Sequence, residues 1–580
     1  MDIQEDPNEI LATGSAIIVD STLETEIPSF LEIFKKTSLT GISMALCFNF
    51  SIEVFLSVIL LQHLSESEDD TAAATLVSTW MNTVCVFFIA PILATAIHLS
   101  KSYGAWCEEE ENSTLAHVVP GALRDEPRED QPLLHGQENN TETPPGNIQD
   151  VNVGAMEVVW EPGDDKERKK ERLESSNYNA LTIALISAGC ATTLTILAKP
   201  IFVHALGQRE SVAAAAQKFL SVYAYAVPGL MFKLSLEQII FGFGKVRAAM
   251  WFSLIGCATG VGLSFLLGFG AQIGSLKVPR LGPAGVAAGF AVDSYITSIL
   301  YVLFTQLNKD LKKFNFFKLS FSRYVRNLGE LKKILRISGA MLIAFAIELA
   351  LTLALGVFSG LISTEAQAAM SYCMNFIYLL FIFAAAFGYS CAQEVSRQIG
   401  AEKWVAAERI GRYGSITALI YIIPLPTIFA IYPPALEAIS GGASEAVSQI
   451  LSKLVPIMCA GVVFDAYRYN LFQQTRPLND LIVPNIIALV GVCLGIGLAA
   501  GLGFGTEMKI YGLGAGYTTG IAFAMLAMFF RWRYDMNKIT QREQSQSNNT
   551  SSFWRSCCGL LSQDETRDDT TFTQTLAVAT

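Results

Sequence analysis

Apolar segments of about twenty residues recur along almost the whole chain, and this feature constrains the fold more than any other. A helix of that length spans the hydrocarbon core of a bilayer, which is about 30 Å thick. Only helices and closed barrels satisfy their backbone hydrogen bonds in lipid, so we expect an all-α polytopic membrane protein. The sequence predicts twelve transmembrane helices, with the approximate bounds 38–62, 72–100, 177–204, 212–240, 248–271, 284–307, 335–361, 366–393, 411–433, 446–472, 481–503 and 511–532.

The composition agrees with a membrane protein and excludes several other classes. Of the 580 residues, 51% are hydrophobic and 16% are charged, whereas soluble proteins carry about 25% charged residues. The net charge of −11 comes mostly from polar segments, so it gives no indication of a nucleic-acid partner. The five histidines are scattered without the spacing of metal ligands, and no phosphate loop or nucleophile motif is present. We therefore predict neither a metal site nor an enzyme.

Lysine and arginine in the connections predict the orientation of the helices, because cytoplasmic loops carry an excess of both residues. The connection between the sixth and seventh helices contains Lys309, Lys312, Lys313, Lys318, Arg323, Arg326, Lys332 and Lys333. By contrast, the first connection is acidic at Ser65–Asp70. The pattern predicts a cytoplasmic N-terminal segment (1–34), a basic cytoplasmic linker (308–334) and a cytoplasmic tail (533–580).

The sequence also contains an internal repeat. FSIEVFLSVIL at Phe50–Leu60 resembles FAIELALTLAL at Phe345–Leu355, and each copy places one glutamate, Glu53 or Glu348, in an apolar run. Further short matches follow in the same order, and they include Gly104 with Gly400, Ala184 with Ala418, Gly285 with Gly516, and Gly289 with Gly520. The repeat predicts two pseudo-symmetric lobes of six helices, at 35–307 and 335–532. Parallel six-helix halves are typical of transporters.

The two halves differ by an insert in the first lobe. The offset between matching residues falls from 296 at Gly104 to 234 at Ala184, which indicates about 62 extra residues. Residues 107–176 are charged and contain prolines, so we expect a largely disordered cytoplasmic insert there. Within it, Glu129, Leu133 and Leu134 match the acidic dileucine pattern read by sorting adaptors. If that signal is used, the protein resides in an endosomal or lysosomal membrane, and otherwise in the plasma membrane.

The tail contains a second short feature. Cys557 and Cys558 lie beside apolar residues, about 25 positions after the last predicted helix. Paired cytoplasmic cysteines near a membrane are candidates for palmitoylation, with two unmodified thiols as the alternative.

Four stretches, taken in order together with the repeat, resemble the multidrug and toxic compound extrusion (MATE) transporter family over most of residues 35–532. They are Leu236–Gly256, Leu281–Val292, Ala368–Phe381 followed by Arg397–Arg409, and Val462–Pro477. The resemblance implies two six-helix lobes arranged in a V. It also implies a secondary active transporter that exports organic, often cationic, compounds in exchange for H⁺ or Na⁺. We accordingly expect a monomer without a cofactor, whose partners are a small organic substrate and membrane lipid.

The resemblance further implies that the coupling ion is bound by one acid on the seventh helix and another on the tenth. Glu348 and Asp465 stand at those places, and Asn375 stands where the family has an amide on the eighth helix. A bare carboxylate in hydrocarbon costs about 3 kcal/mol or more, so it must be protonated, bind a cation or form an ion pair. Ion pairing is the open alternative, above all for Asp465, because Arg468 follows three residues later on the same helix face.

Other polar residues and other functions remain open at this point. Glu53, Asn82 and Glu237 are candidate polar residues of the other lobe or of the cavity, and we interpret Glu53 and Glu237 first as helix-interface acids. Glu53 does not stand at the position of the acid that the family has on its first helix.

Alternative functions are a lipid-linked oligosaccharide flippase of the same superfamily and a non-transporting membrane protein acting through its insert and tail. The acids in apolar helices argue against both.

Overall fold

The structure, a computed structural model, describes residues 28–48, 56–57, 59–61, 63–64, 68–118, 166–273, 276–314, 316, 328–434 and 445–541. The predicted sorting signal, the tail cysteines and Glu53 lie outside these residues.

The first lobe contains α1 (Phe30–Cys47), α2 (Glu68–Trp80), α3 (Val86–Val118), α4 (Lys166–Ile196), α5 (Glu210–Gly242), α6 (Val246–Phe269) and α7 (Pro283–Leu307). The second contains α8 (Leu328–Ile362), α9 (Thr364–Gly400), α10 (Trp404–Ile422), α11 (Pro424–Ile431), α12 (Glu445–Thr475), α13 (Ile482–Gly505) and α14 (Ile510–Gln541).

The all-α polytopic architecture is confirmed. In the described part of the chain, ten helical segments are long and apolar enough to cross a membrane, and they coincide with predicted spans three to twelve. In the region of the first two predicted spans lie α1 and the pair α2–α3, which is joined by a π-helical turn at Met81–Cys85. The number twelve itself stays a prediction. A short antiparallel hairpin, β1 (Ala271–Ile273) with β2 (Leu276–Val278), connects α6 and α7.

Several helices continue beyond the apolar segments that predicted them. Helix α3 ends at Val118 and α4 begins at Lys166, so helix extends into both ends of the predicted insert, whose residues 119–165 are not described. These extensions pair with each other, since Lys169 Nζ lies 2.9 Å from Glu109 Oε2. A hydropathy pattern predicts only the part of a helix that crosses lipid, and the charged turns beyond it escape the prediction.

The glycines of the sequence repeat have the same packing role in both lobes. A Cβ atom at Gly289 on α7 would lie 2.3 Å from the backbone nitrogen of Ser264 on α6. At the matching position of the second lobe, a Cβ atom at Gly520 on α14 would lie 2.5 Å from the Cα atom of Gly495 on α13. Small residues allow membrane helices to pack with their backbones in contact. The repeat thus corresponds to equivalent helix pairs, α6–α7 and α13–α14.

The two lobes contact each other where α3 crosses α9, at the end predicted to be cytoplasmic. A Cβ atom at Gly104 would lie 2.0 Å from the carbonyl oxygen of Arg397, and one at Gly400 would lie 2.0 Å from that of Lys101. Beside the crossing, Ser396 Oγ donates a hydrogen bond of 2.7 Å to the Ile97 carbonyl. Gly104 and Gly400, which the sequence repeat matches with each other, therefore lie on the two sides of one contact between the lobes.

Ion pairs between the lobes surround this crossing. They are Lys36 Nζ with Glu394 Oε1 at 2.5 Å, Lys403 Nζ with Glu108 Oε2 at 3.0 Å, and His98 Nε2 with Glu330 Oε2 at 2.9 Å. Each pair takes one residue from each lobe. The lobes are accordingly closed against each other at this end of the molecule.

We expect Gly104→Ala to reduce the amount of folded protein, because the added methyl group has no space between α3 and α9. Overpacking of this kind typically costs about 1–3 kcal/mol. The matched control is Gly189→Ala on α4, where no heavy atom lies within 4 Å of the added Cβ atom. Size-exclusion chromatography of detergent extracts after heating measures both variants. Equal stability of Gly104→Ala and Gly189→Ala would show that the crossing tolerates a side chain.

Candidate functional site

Helices α8 and α12 of the second lobe place two acidic side chains in contact with one basic side chain. Arg468 donates through Nε to Asp465 Oδ1 at 2.8 Å, and through a terminal nitrogen to Glu348 Oε1 at 2.9 Å. Asp465 and Arg468 share a face of α12, whereas Glu348 lies 120 residues earlier in the chain, on α8. We name these three residues the C-lobe cluster. The structure thus joins the two predicted ion-coupling acids through an arginine.

The C-lobe cluster has an excess of one negative charge when both acids are ionised. The side chains of Arg468 and Asp465 are 6% and 13% exposed, while that of Glu348 is 27% exposed. Glu348 is therefore the most exposed of the three side chains. A buried cluster with a net charge is unfavourable in a membrane unless a counter-charge is supplied.

The other predicted site residues are placed differently. Asn375 lies on α9, which packs against both α8 and α12, but its side chain is outside the described part of the structure. Asn82 belongs to the π-helical turn between α2 and α3, and its side chain is likewise not described. Glu53 is not described at all. The roles proposed for these three residues remain predictions.

Glu237 lies in a second charged cluster, inside the first lobe. The Tyr301 hydroxyl lies 3.3 Å from Glu237 Oε2 and 3.2 Å from the Ala249 carbonyl oxygen, and these two acceptors compete for its one proton. One turn earlier on α5, Lys233 Nζ lies 2.6 Å from Asp293 Oδ2 on α7, and Thr297 donates to Asp293 Oδ1 at 3.1 Å. The three ionisable side chains Lys233, Glu237 and Asp293 have no exposure, and we name them the N-lobe cluster.

Sequence reasoning missed Lys233 and Asp293. The signal was present, because each of them interrupts an otherwise apolar predicted span. Two glycines on α6 allow Asp293 to lie at the helix interface. A Cβ atom at Gly256 would be 2.3 Å from Asp293 Oδ1, and one at Gly260 would be 2.5 Å from Asp293 Cβ. Helices α6 and α7 thus enclose the acid tightly.

Two similar lobes of membrane-spanning helices, each with a charged cluster in its interior, define a polytopic membrane transporter. The MatE family model matches residues 167–266 and 340–500, one stretch in each lobe. The chain thus resembles this family in both of its lobes.

Relatives and solved structures agree with that assignment. The chain is 24% identical over 374 residues to "Probable multidrug resistance protein NorM" of Burkholderia pseudomallei, covering 63% of this chain and 76% of the relative. It is 23% identical over 383 residues to the protein of the same name from Streptococcus pneumoniae R6, covering 65% and 81%.

Among solved structures, the eukaryotic MATE transporter AtDTX14 matches with a TM-score of 0.62 and 16% identity, over 88% of this chain and 99% of that one. A MATE protein in the bent conformation matches with a TM-score of 0.68 and 12% identity, over 89% and 99%. At these identities the structural matches show the fold alone.

Proposed function

We propose that the protein is a secondary active multidrug transporter, which exports organic cations in exchange for H⁺ or Na⁺. The observation that supports this most directly is the C-lobe cluster, where Arg468 bridges two acids, so that its three side chains carry one net negative charge when both acids are ionised. A cluster with one net negative charge binds one monovalent cation favourably, and release of that cation costs free energy. That property is what ion-coupled transport requires.

The position of Glu348 suggests how ion binding changes the conformation. Protonation or Na⁺ binding at Glu348 weakens its attraction to Arg468, which then remains paired with Asp465 on its own helix. The link that this ion pair makes between α8 and α12 is thereby lost. The same helix packs against α3 of the first lobe, where Ser338 Oγ lies 3.3 Å from the Pro91 carbonyl oxygen. Movement of α8 consequently reaches the interface between the lobes.

The acids, rather than the fold, support a cationic substrate. A MOP superfamily transporter from Pyrococcus furiosus, described as having a binding pocket of reverse polarity, matches with a TM-score of 0.66 and 13% identity. The same fold therefore does not specify the charge of its ligand. The names of the NorM relatives support multidrug efflux for this chain. The net negative charge of the C-lobe cluster favours substrates of positive charge.

Transport by the purified protein in liposomes tests the proposal. We expect a fluorescent organic cation to move against its own gradient when an H⁺ or a Na⁺ gradient of opposite direction is imposed. The gradient that drives movement identifies the coupling ion, and dissipating it with an ionophore should stop transport. Protein-free liposomes provide the control. Movement that is the same with and without either gradient would contradict coupled export.

We further propose that the working protein is a monomer whose two termini face the cytoplasm. Its membrane is endosomal or lysosomal if an adaptor binds Glu129, Leu133 and Leu134, and the plasma membrane otherwise. The charge pattern of the connections supports the orientation. The sorting sequence lies outside the described residues and rests on the sequence match.

A further inference from the structure

A third group of charged side chains lies in the second lobe, at the end predicted to be cytoplasmic. Arg531 on α14 donates through Nε to Asp480 Oδ2 at 2.6 Å, and one of its terminal nitrogens lies 3.4 Å from Asp535 Oδ1. Asp480 belongs to the turn between α12 and α13, whereas Asp535 stands one helical turn after Arg531 on α14. We name these three residues the α14 cluster.

The α14 cluster contains two acids and one base. The side chains of Asp480 and Asp535 are 13% and 10% exposed, and Asp535 Oδ2 is buried without a hydrogen-bond partner among the described residues. Two ionised carboxylates that share one guanidinium repel each other. Asp535 lies beyond the last predicted span (511–532), and burial together with the neighbouring Asp480 carboxylate raises its pKa to about 7.

The charged groups that act on Asp535 come from two elements. Asp480 approaches it from the turn and favours the protonated form, while Arg531 and Lys538, both on α14, favour the ionised form. The Lys538 side chain is exposed to water. After Asp535 has lost its proton, its carboxylate therefore still has two cations of its own helix nearby.

The turns after α5 and α12 occupy equivalent places in the two lobes. Gly244 and Asn479 have a left-handed backbone in these turns, with φ of 72° and 61°. Lys233 precedes Gly244 by eleven residues, and Arg468 precedes Asn479 by eleven. The buried base of each lobe thus stands at the same distance from the turn.

A charged residue directly follows the left-handed position in both turns. In the first lobe it is Lys245, whose Nζ lies 2.6 Å from Asp310 Oδ2, just after the end of α7. In the second lobe it is Asp480, which Arg531 contacts from α14. Each lobe therefore links this turn to the end of its last helix, and the link of the second lobe contains Asp535 as an additional acid.

We infer that the α14 cluster is a proton-dependent switch, which holds the turn after α12 against α14 when Asp535 is protonated and loosens it when Asp535 is ionised. In the protonated form, Arg531 neutralises Asp480, and the neutral Asp535 does not repel it. When Asp535 gives its proton to water, two carboxylates face one guanidinium and push the turn away from α14.

The turn is directly connected to the helix of the C-lobe cluster. The Asp480 N–H donates to the carbonyl of Thr475, the last residue of α12, at 3.2 Å. Asp465 and Arg468 lie on that helix, so loosening the turn changes how its cytoplasmic end is held. Regulation of export by cytoplasmic pH through this contact rests on the proposed function, whereas the protonation of Asp535 does not.

Labelling with dicyclohexylcarbodiimide, which reacts with protonated carboxyl groups in apolar surroundings, tests the protonation of Asp535. Mass spectrometry of peptides from the full-length purified protein measures the label. We expect it to fall about tenfold from about pH 6 to about pH 8, because a raised pKa keeps the proton on Asp535 only below neutral pH. Asp480→Asn should lower the labelling of Asp535 at neutral pH, since Arg531 then pairs with Asp535 alone.

Hydrogen–deuterium exchange of the turn after α12 tests the switch. Asp535→Asn keeps the shape of the side chain and the neutral charge of the protonated acid. The variant and the unmodified protein are compared at the same pH, so that the intrinsic exchange rate cancels. We expect equal exchange at about pH 6. At about pH 8 the unmodified protein should exchange up to about tenfold faster, because each pH unit above the midpoint changes the linked equilibrium tenfold.

The matched control is Asp310→Asn, which removes the acid of the first-lobe link and should change neither measurement. Equal labelling of Asp535 at both pH values, or labelling that Asp480→Asn does not lower, would overturn the inference. Equal exchange of the unmodified protein and Asp535→Asn at about pH 8 would overturn it as well. If Asp480→Asn does not fold, the exchange of Asp535→Asn decides the question. Neither measurement involves transport, so both remain decisive even if the liposome assay contradicts the proposed function.

Discussion

Glu348→Gln is expected to reduce gradient-driven export to the level of protein-free liposomes, while the amount of folded protein stays near normal. Glutamine keeps the shape of the side chain and an oxygen that accepts from Arg468 at the distance now observed, 2.9 Å. It has no charge, however, so the C-lobe cluster becomes permanently neutral. The charge of the cluster in this variant is the same as in the ion-bound state of the unmodified protein. Because the neutral charge comes from the glutamine and not from a bound ion, it cannot be reversed by ion release. Export of the fluorescent cation at matched protein levels measures the effect.

The control for this variant is Glu445→Gln, which removes an exposed carboxylate from the first turn of the same helix as Asp465. It should transport normally. We expect Glu53→Gln to reduce export less than Glu348→Gln, because the role predicted for Glu53 is helix packing or cavity polarity. Export that is lost in Glu53→Gln and retained in Glu348→Gln would contradict the assignment of coupling to the second lobe.

The difference between these two glutamates shows what the sequence repeat predicts and what it does not. Glu53 and Glu348 occupy the same position in two copies of one segment, yet copies of a segment can diverge in function. In the structure, the equivalence between the charged clusters lies instead in the bases, Lys233 and Arg468. In each lobe one acid lies on the same helix as the base, whereas the second acid comes from α7 in the first lobe and from α8 in the second.

Most of the fold could be predicted from hydropathy, and part of the site could not. Apolar length determines where a helix crosses lipid, so each of the predicted spans three to twelve overlaps a helix that is long and apolar enough to cross a membrane. Several of these helices extend well beyond the predicted bounds. The contact of Asp465 with Arg468 follows from their spacing on one helix. The contact of Glu348 with Arg468 depends on where α8 lies relative to α12, which no local pattern encodes, and it was not predicted. The family resemblance implied only that Glu348 and Asp465 act together.

The N-lobe cluster was missed for a related reason. Lys233 and Asp293 are 60 residues apart, and each was visible as a charged residue in an apolar span. The repeat points to the acids in the repeated segments and does not pair a lysine on the fourth predicted helix with an acid on the sixth. A rule that every buried charge in a membrane helix requires a partner would have found both.

Arg468→Met is expected to destabilise the protein more than any change to the acids. It would leave Glu348 and Asp465 near each other without the cation that both now contact. Removing one partner of a buried ion pair typically costs about 3–5 kcal/mol, because the remaining charge is buried without compensation. We expect a clear fall in the temperature at which the detergent-solubilised protein loses its monodisperse chromatographic peak. Arg468→Lys keeps the charge but not the fork of donors, so its peak should be lost at an intermediate temperature.

The triple variant Arg468→Met, Glu348→Gln and Asp465→Asn separates stability from coupling. All three charges are absent from it, so no uncompensated group remains, and a neutral replacement of a buried ion cluster is often as stable as the original. We expect its thermal stability to return close to that of the unmodified protein while export remains absent. If Arg468→Met alone is as stable as the unmodified protein, the two acids do not depend on the guanidinium for compensation. The charge count on which the C-lobe coupling site rests would then be wrong.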